Sequence, residues 1–186
     1  LESPLANLFA DALLAAVPGA DVAIGLGARR GGLRADLPAG ALTRGSLYDV
    51  FPFDNRVVTL ALTGAQLRLV LAREVAFRRR GVPGVSGVHV RVTCEGERPV
   101  VKIVSSSGAT IDPAETLIVA TTDFFARRVP FGSGPTTPEA ALPSAPLVRD
   151  AAAGWLMARG GRLRAADLTD PPRWDPVDGG ACLAAD

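Results

Sequence analysis

Residues 42–71, LTRGSLYDVFPFDNRVVTLALTGAQLRLVL, hold the densest run of structural signals in the chain. Thr43 to Val50 reads as a short helical turn, with Leu47 and Val50 apolar and three apart. Phe51-Pro52-Phe53 ends it, because proline fixes φ and pushes its predecessor toward extended geometry. Asp54-Asn55 is turn chemistry. Val57 to Leu62 is β-branched, apolar and too short for a helix, which predicts a buried strand. Thr63-Gly64-Ala65-Gln66 has the form of a capping box, a hydroxyl followed three residues later by Gln. The helix it opens puts Leu67, Val70 and Leu71 on one stripe and runs to about Arg79. Arg78-Arg79-Arg80-Gly81 then reads as a solvated helix end, with cations on the negative end of the dipole and a glycine stop.

Toward the N-terminus, Leu1 to Val17 reads as an amphipathic helix. Ser3 caps it and Pro4 stands at the first helical position, where its missing N–H costs nothing. Leu5, Leu8, Phe9, Ala12 and Leu13 form the apolar stripe, and Glu2, Asn7 and Asp11 read as a solvated face. A turn over 18–21 leads to a short strand, Val22 to Gly25. Gly27 to Asp36, GARRGGLRAD, is a Gly- and Arg-rich loop. By residue type alone it is an exposed turn with a solvated Arg34.

Toward the C-terminus, Gly84 to Gly96 alternates as one half-buried strand. Val88, Val90 and Val92 lie on one side, and His89, Arg91 and Thr93 on the other. The chain has a single histidine, and its place on the polar side predicts a surface residue. Glu95-Gly96-Glu97 is a hairpin turn to a partner strand, Arg98 to Ser105. Glu115 to Thr122 is a further strand. Gly132 to Pro146 is a Pro/Ser/Thr/Gly loop, and Pro146 to Gly160 a last helix with Val148, Ala151, Ala152 and Trp155 on one face. Asp167 to Asp186 is Pro- and Asp-rich, either a strap across the domain or a loose tail.

A length of 186 residues with 48% apolar content fits one globular domain. The net charge of +1 argues against dedicated nucleic-acid or membrane-surface binding. No apolar run approaches the ~18 residues of a transmembrane helix, and no signal peptide is visible. Cys94 and Cys182 make neither a disulfide framework nor a zinc site. They are expected to be unpaired or buried thiols, or one long-range disulfide if the protein is exported.

The ordered series Pro52-Phe53-Asp54-Asn55, strand, Leu62-Thr63-Gly64-Ala65-Gln66-Leu67 resembles the C-terminal domain of the 5′-nucleotidase / UDP-sugar hydrolase family. Glu2, Asn7-Leu8 and Ala10-Asp11-Ala12 are similar to that family's opening helix. Gly31-Gly32-Leu33-Arg34 is similar to the end of its Asn-Gly-Gly-Gly-Ile-Arg loop. Thr121-Thr122-Asp123-Phe124-Phe125-Ala126 resembles its Thr-Asn-Asp-Phe-Leu-Ala segment. The resemblance implies an α+β fold in one domain over 1–186, a mixed β-sheet packed with helices, with 166–186 as strap or tail. It implies Phe53 and Phe124 as aromatic rings that sandwich a base, Arg34 as a phosphate contact, and Gly31, Gly32 and Asn55 as further substrate-binding positions. Arg29 and Arg30 stand where the family has Asn and its first Gly. Arg127-Arg128-Val129-Pro130 replaces the family's Gly-Gly-Asp-Gly, so no ribose ligand carries over.

The family is a group of two-metal phosphoesterases whose two divalent ions and activating histidine belong to a separate N-terminal metallophosphatase domain. One histidine and no Asp-x-His or Gly-Asn-His-Glu segment leave this chain without such a site, and no Gly-x-Ser-x-Gly elbow or Walker loop is present. No catalytic or metal-ligating residue is therefore assigned, and the chain alone is expected to be inactive. The resemblance implies a nucleotide-recognition domain of a bacterial hydrolase, periplasmic or extracellular, working with that N-terminal domain of the same polypeptide. It implies neither nucleic acid nor membrane as partner. Alternatives are a non-catalytic binding or structural module that has lost the nucleotide contacts, or a thiosulfohydrolase-like relative with another substrate.

Overall fold

The structure is a computed structural model that describes residues 2–27, 32–76, 81–129, 145–160, 163–177 and 182–183. It has the expected α+β architecture. Strands β1 (Val22–Gly27), β2 (Val57–Thr63), β3 (Pro83–Ser86) and β6 (Thr116–Thr122) form a mixed sheet in the order β2-β6-β1-β3. Strands β4 (Val88–Glu95), β5 (Arg98–Ser105) and β7 (Trp174–Pro176) form a second sheet in the order β5-β4-β7. β1 runs parallel to β6, and β2 and β3 run antiparallel to their neighbours.

Apolar residues cover both faces of the first sheet. On one face, Val22, Ile24, Leu60, Leu62, Leu117 and Val119 pack against α3 (Gly64–Ala76) and the inner face of the second sheet. On the other, Ala23, Val57 and Ala120 meet α1 (Pro4–Ala16), α2 (Arg44–Val50) and α5 (Val148–Ala158). A short helix α4, Asp123–Ala126, follows β6. Strand alternation explains the division, because successive side chains point to opposite faces. A register shift in β1 between Ile24 and Gly27 carries Leu26 to the α1 side.

The helix starts form as their sequences specify. Ser3 Oγ accepts from Ala6 N, with Pro4 at the first position of α1. Thr43 caps α2 with Ser46 as reciprocal partner. Thr63 N donates to Gln66 Oε1 at 2.8 Å and Gln66 N donates to Thr63 Oγ1 at 3.2 Å, a closed capping box ahead of α3. The arginine cluster 78–80 and most of the 132–146 loop lie outside the described residues.

Four expectations change. β2 is an alternating edge strand rather than a fully buried one, because its partner β6 lies on one side only. The start of its open edge is covered by residues 145–148, where Val57 N donates to Pro146 O and Val148 N to Asn55 O, both at 3.0 Å.

The single strand expected over 84–96 is two strands in two sheets. Gly87, with φ +82°, turns the chain between them, and a Cβ there would meet the Asp21 carbonyl oxygen at 2.2 Å. Only glycine takes both that dihedral and that approach.

Glu2, Asn7 and Asp11 are not a solvated face. Asn7 is fully buried, and its Nδ2 donates to Glu2 Oε2 at 2.7 Å and to Leu168 O at 2.8 Å. Asp11 accepts from Arg173 through both oxygens, at 2.7 and 2.9 Å, and from Ser86 Oγ at 2.7 Å. Leu168 and Arg173 come from the C-terminal segment, which over 163–177 is a strap and not a tail. Trp174 is 1% exposed and donates to Pro83 O, while β7 pairs parallel with β4. The strap's Pro172 carbonyl lies 3.2 Å from His89 Nδ1, so the lone histidine sits on the sheet surface beside it.

Finally, Cys94 and Cys182 are not thiols. They form a disulfide with Cα atoms 5.6 Å apart, ordinary for such a bond.

Candidate functional site

Three chain segments meet at one end of the first sheet. β1 and β6 are parallel, so both deliver their carboxyl ends there, and β2, antiparallel to β6, begins there. The loop after β1 carries Gly32 and Arg34. The loop before β2 carries Phe53 and Asn55. The turn after β6 carries Phe124. The carboxyl ends of parallel strands are a usual place for ligands in open sheets with helical cover.

A small set of bonds holds these segments together. Asn55 Nδ2 donates to Asp123 Oδ1 at 2.8 Å. The same oxygen accepts from Arg56 N at 3.2 Å and from Phe124 N at 2.8 Å. Asp123 N in turn donates to Arg56 O at 3.0 Å. Phe53 and Phe124 are therefore fixed to one joint, two residues before Asn55 and one after Asp123. Asn55 is half-buried and its amide hydrogen serves this joint.

The Phe53 loop has a second anchor. Arg149 of α5 donates to the carbonyls of Phe51 and Phe53 and to Asp54 Oδ1 at 2.6 Å, and its guanidinium lies 5.0 Å from the Tyr48 ring centre. Phe51 is fully buried and stands edge-on to Phe53 with centroids 5.4 Å apart. Gly32, at φ +120°, leaves room for both rings. A Cβ there would come within 2.5 Å of Phe51 Cε2 and 3.4 Å of Phe53 Cδ2. One ring of the Phe51/Phe53 pair is thus core and the other is half-exposed. In the second pair Phe124 is 44% exposed, whereas Phe125 packs against the core.

Arginines surround both rings. The Arg34 guanidinium sits 4.9 Å from the Phe53 centroid and that of Arg128 5.7 Å from the Phe124 centroid. Arg34 N donates to Val50 O at 2.8 Å, which holds its loop against the end of α2. A cleft beside Phe124 is lined by Gly25, Gly27, Pro83, Phe125 and Arg128. Gly31 lies outside the described residues.

Residues 1–128 match the family described as "5′-nucleotidase, C-terminal domain". The chain belongs to this family. A curated relative, the trifunctional nucleotide phosphoesterase protein YfkN of Bacillus subtilis, is 34% identical over 135 residues, which is 66% of this chain and 9% of YfkN. Among solved structures, the 5′-nucleotidase precursor of Thermus thermophilus superposes with a TM-score of 0.66 at 24% identity, over 95% of this chain and 36% of that one. The sulfate thiohydrolase SoxB of Termus thermophilus superposes with a TM-score of 0.64 at 21% identity, over 94% of this chain and 32% of that one. This 5′-nucleotidase C-terminal domain thus spans about a third of each solved structure and a tenth of YfkN.

Among the described residues of the domain, no group of three or more His, Cys, Asp or Glu side chains is placed to hold a metal ion. The sequence motifs single out Phe53, Asn55, Arg34, Gly32 and Phe124, which the structure brings to one sheet end. They did not reveal Asp123 and Arg149 as the joints between loops. Both act across long separations, 68 residues from Asn55 to Asp123 and 95 from Asp54 to Arg149. No local pattern encodes such partners.

Proposed function

We propose that this domain recognises the base and sugar of a nucleotide, for a metallophosphatase domain of the same polypeptide that holds two divalent metal ions and performs the hydrolysis. The observation that carries this is the Asn55–Asp123 joint, which fixes two aromatic-bearing loops at one sheet end. Phe53 and Phe124 supply stacking surfaces that accept any base. Arg34 supplies a planar fork suited to phosphate oxygens, and Gly32 leaves the room in which Phe53 stands beside Phe51. The disulfide fits an oxidising compartment, periplasmic or extracellular.

Calorimetric titration of AMP into this chain tests the reading. Replacing Phe53 or Phe124 by Ala should each weaken binding by roughly 1–3 kcal/mol, the worth of one stacked base. Unchanged affinity in both variants would remove the base-recognition role. A second reading is a relative that takes another, smaller anionic substrate. Arg127 and Arg128, where the family carries Gly-Gly-Asp, favour it. On that reading thiosulfate binds the chain and AMP does not.

A further inference from the structure

Both rings assigned to base stacking already carry an arginine. Arg34 lies over Phe53 and Arg128 over Phe124, at 4.9 and 5.7 Å from the ring centres. The two pairs are built differently. Arg34 reaches Phe53 from another loop, whereas Arg128 follows Phe124 by four residues, just past the end of α4. Both arginines are exposed. Among the described residues neither takes part in an ion pair, unlike Arg127, Arg149, Arg164 and Arg173. On Phe53 the Arg34 guanidinium lies over the ring, and Phe51 stands edge-on with centroids 5.4 Å apart. A base that stacks there must move the guanidinium.

We propose that Arg34 and Arg128 are anion-displaced covers, which let the site distinguish a nucleotide from the nucleoside left when its phosphate is removed. The proposal rests on the reading of Phe53 and Phe124 as base-stacking rings. A bare nucleoside displaces the guanidinium and offers it nothing in return. A nucleotide brings a phosphate, and a forked, charge-assisted bond to phosphate is stronger than an exposed contact with a ring face. The arginine therefore leaves the ring for the phosphate, and the base takes the vacated face. Once the phosphate is gone the arginine returns to the ring, which favours release of the nucleoside. The same two side chains select the charged ligand and reject the uncharged one.

The experiment titrates AMP and adenosine separately into this chain and into its Arg34→Ala, Arg128→Ala and Phe53→Ala variants, at low ionic strength, by calorimetry. The parent should bind AMP roughly tenfold or more tighter than adenosine, as one charge-assisted bond allows. In Arg34→Ala and Arg128→Ala, AMP should bind more weakly while adenosine gains about two- to fivefold, the strength of an exposed cation–π contact. The two ligands then converge. If adenosine affinity falls or stays constant in both arginine variants while Phe53→Ala loses binding, the covers are refuted and base stacking stands. If Phe53→Ala binds both ligands as the parent does, stacking on Phe53 fails and the Arg34 cover fails with it. Both arginines are exposed, so the variants should keep the parent's thermal midpoint.

Discussion

Asp123 Oδ1 takes three donors from two loops, and its carboxylate also pairs with Arg127 at 3.3 Å. Truncation removes the partner of the part-buried Asn55 Nδ2 and Arg56 N and of the exposed Phe124 N; an unmet donor costs about 1–3 kcal/mol when buried and less where water replaces the bond. Asp123→Ala should therefore lower stability by roughly 2–3 kcal/mol in urea unfolding and weaken AMP binding as well, because both aromatic loops lose their joint. A urea midpoint equal to the parent's would show that the joint bears no load. The residue-level legibility of the site follows the range of each contact. Phe53, Asn55 and Phe124 stand inside short motifs, so the sequence singles them out. It does not single out Asp123 and Arg149, because an acceptor or a guanidinium gains its meaning from partners far along the chain. Glu2, Asn7 and Asp11 failed in the same way. On a helical wheel they look solvated, and the strap that covers them arrives far later in the chain, with Arg173 162 residues from Asp11.

At the scale of elements, the helices were legible because their caps are local. The Thr63/Gln66 box lies within four residues and its bonds form as written. The strand over 84–96 was legible as extended chain but not as two strands. The apolar phase slips at Gly87, since Val85 and Val88 are three apart, but a slip of one residue beside a glycine does not reveal that the next residue joins another sheet. Its importance can be measured against a second glycine. Gly87→Ala should cost about 2 kcal/mol or more, since it forces a left-handed alanine and a clash with the Asp21 carbonyl. Gly96→Ala, at φ +62° in the β4–β5 turn with nothing within 4 Å, should cost about 1 kcal/mol from backbone conformation alone. Equal losses for the two variants, by thermal unfolding, would show that the tight approach between the sheets at Gly87 does not matter.

At the scale of the whole molecule, the strap and its disulfide join the first helix to the second sheet. Arg173 pairs with Asp11 of α1, Trp174 fills the space under Pro83, and Cys182 fastens the end to Cys94 of β4. Replacing Cys94 with Ser, or reducing the bond, should lower stability by roughly 2–4 kcal/mol. A thermal midpoint insensitive to reductant would refute this. The sequence left the pairing open because two cysteines 88 residues apart give no spacing signal. The bond also has a consequence for covalent topology. Everything between residues 94 and 182 belongs to a closed covalent ring that includes α4, α5 and the Phe124 turn. A protease that cuts once anywhere in that ring does not release a fragment. It produces two chains that migrate together without reductant and part with it. A single nick would therefore leave both aromatic loops attached to one molecule.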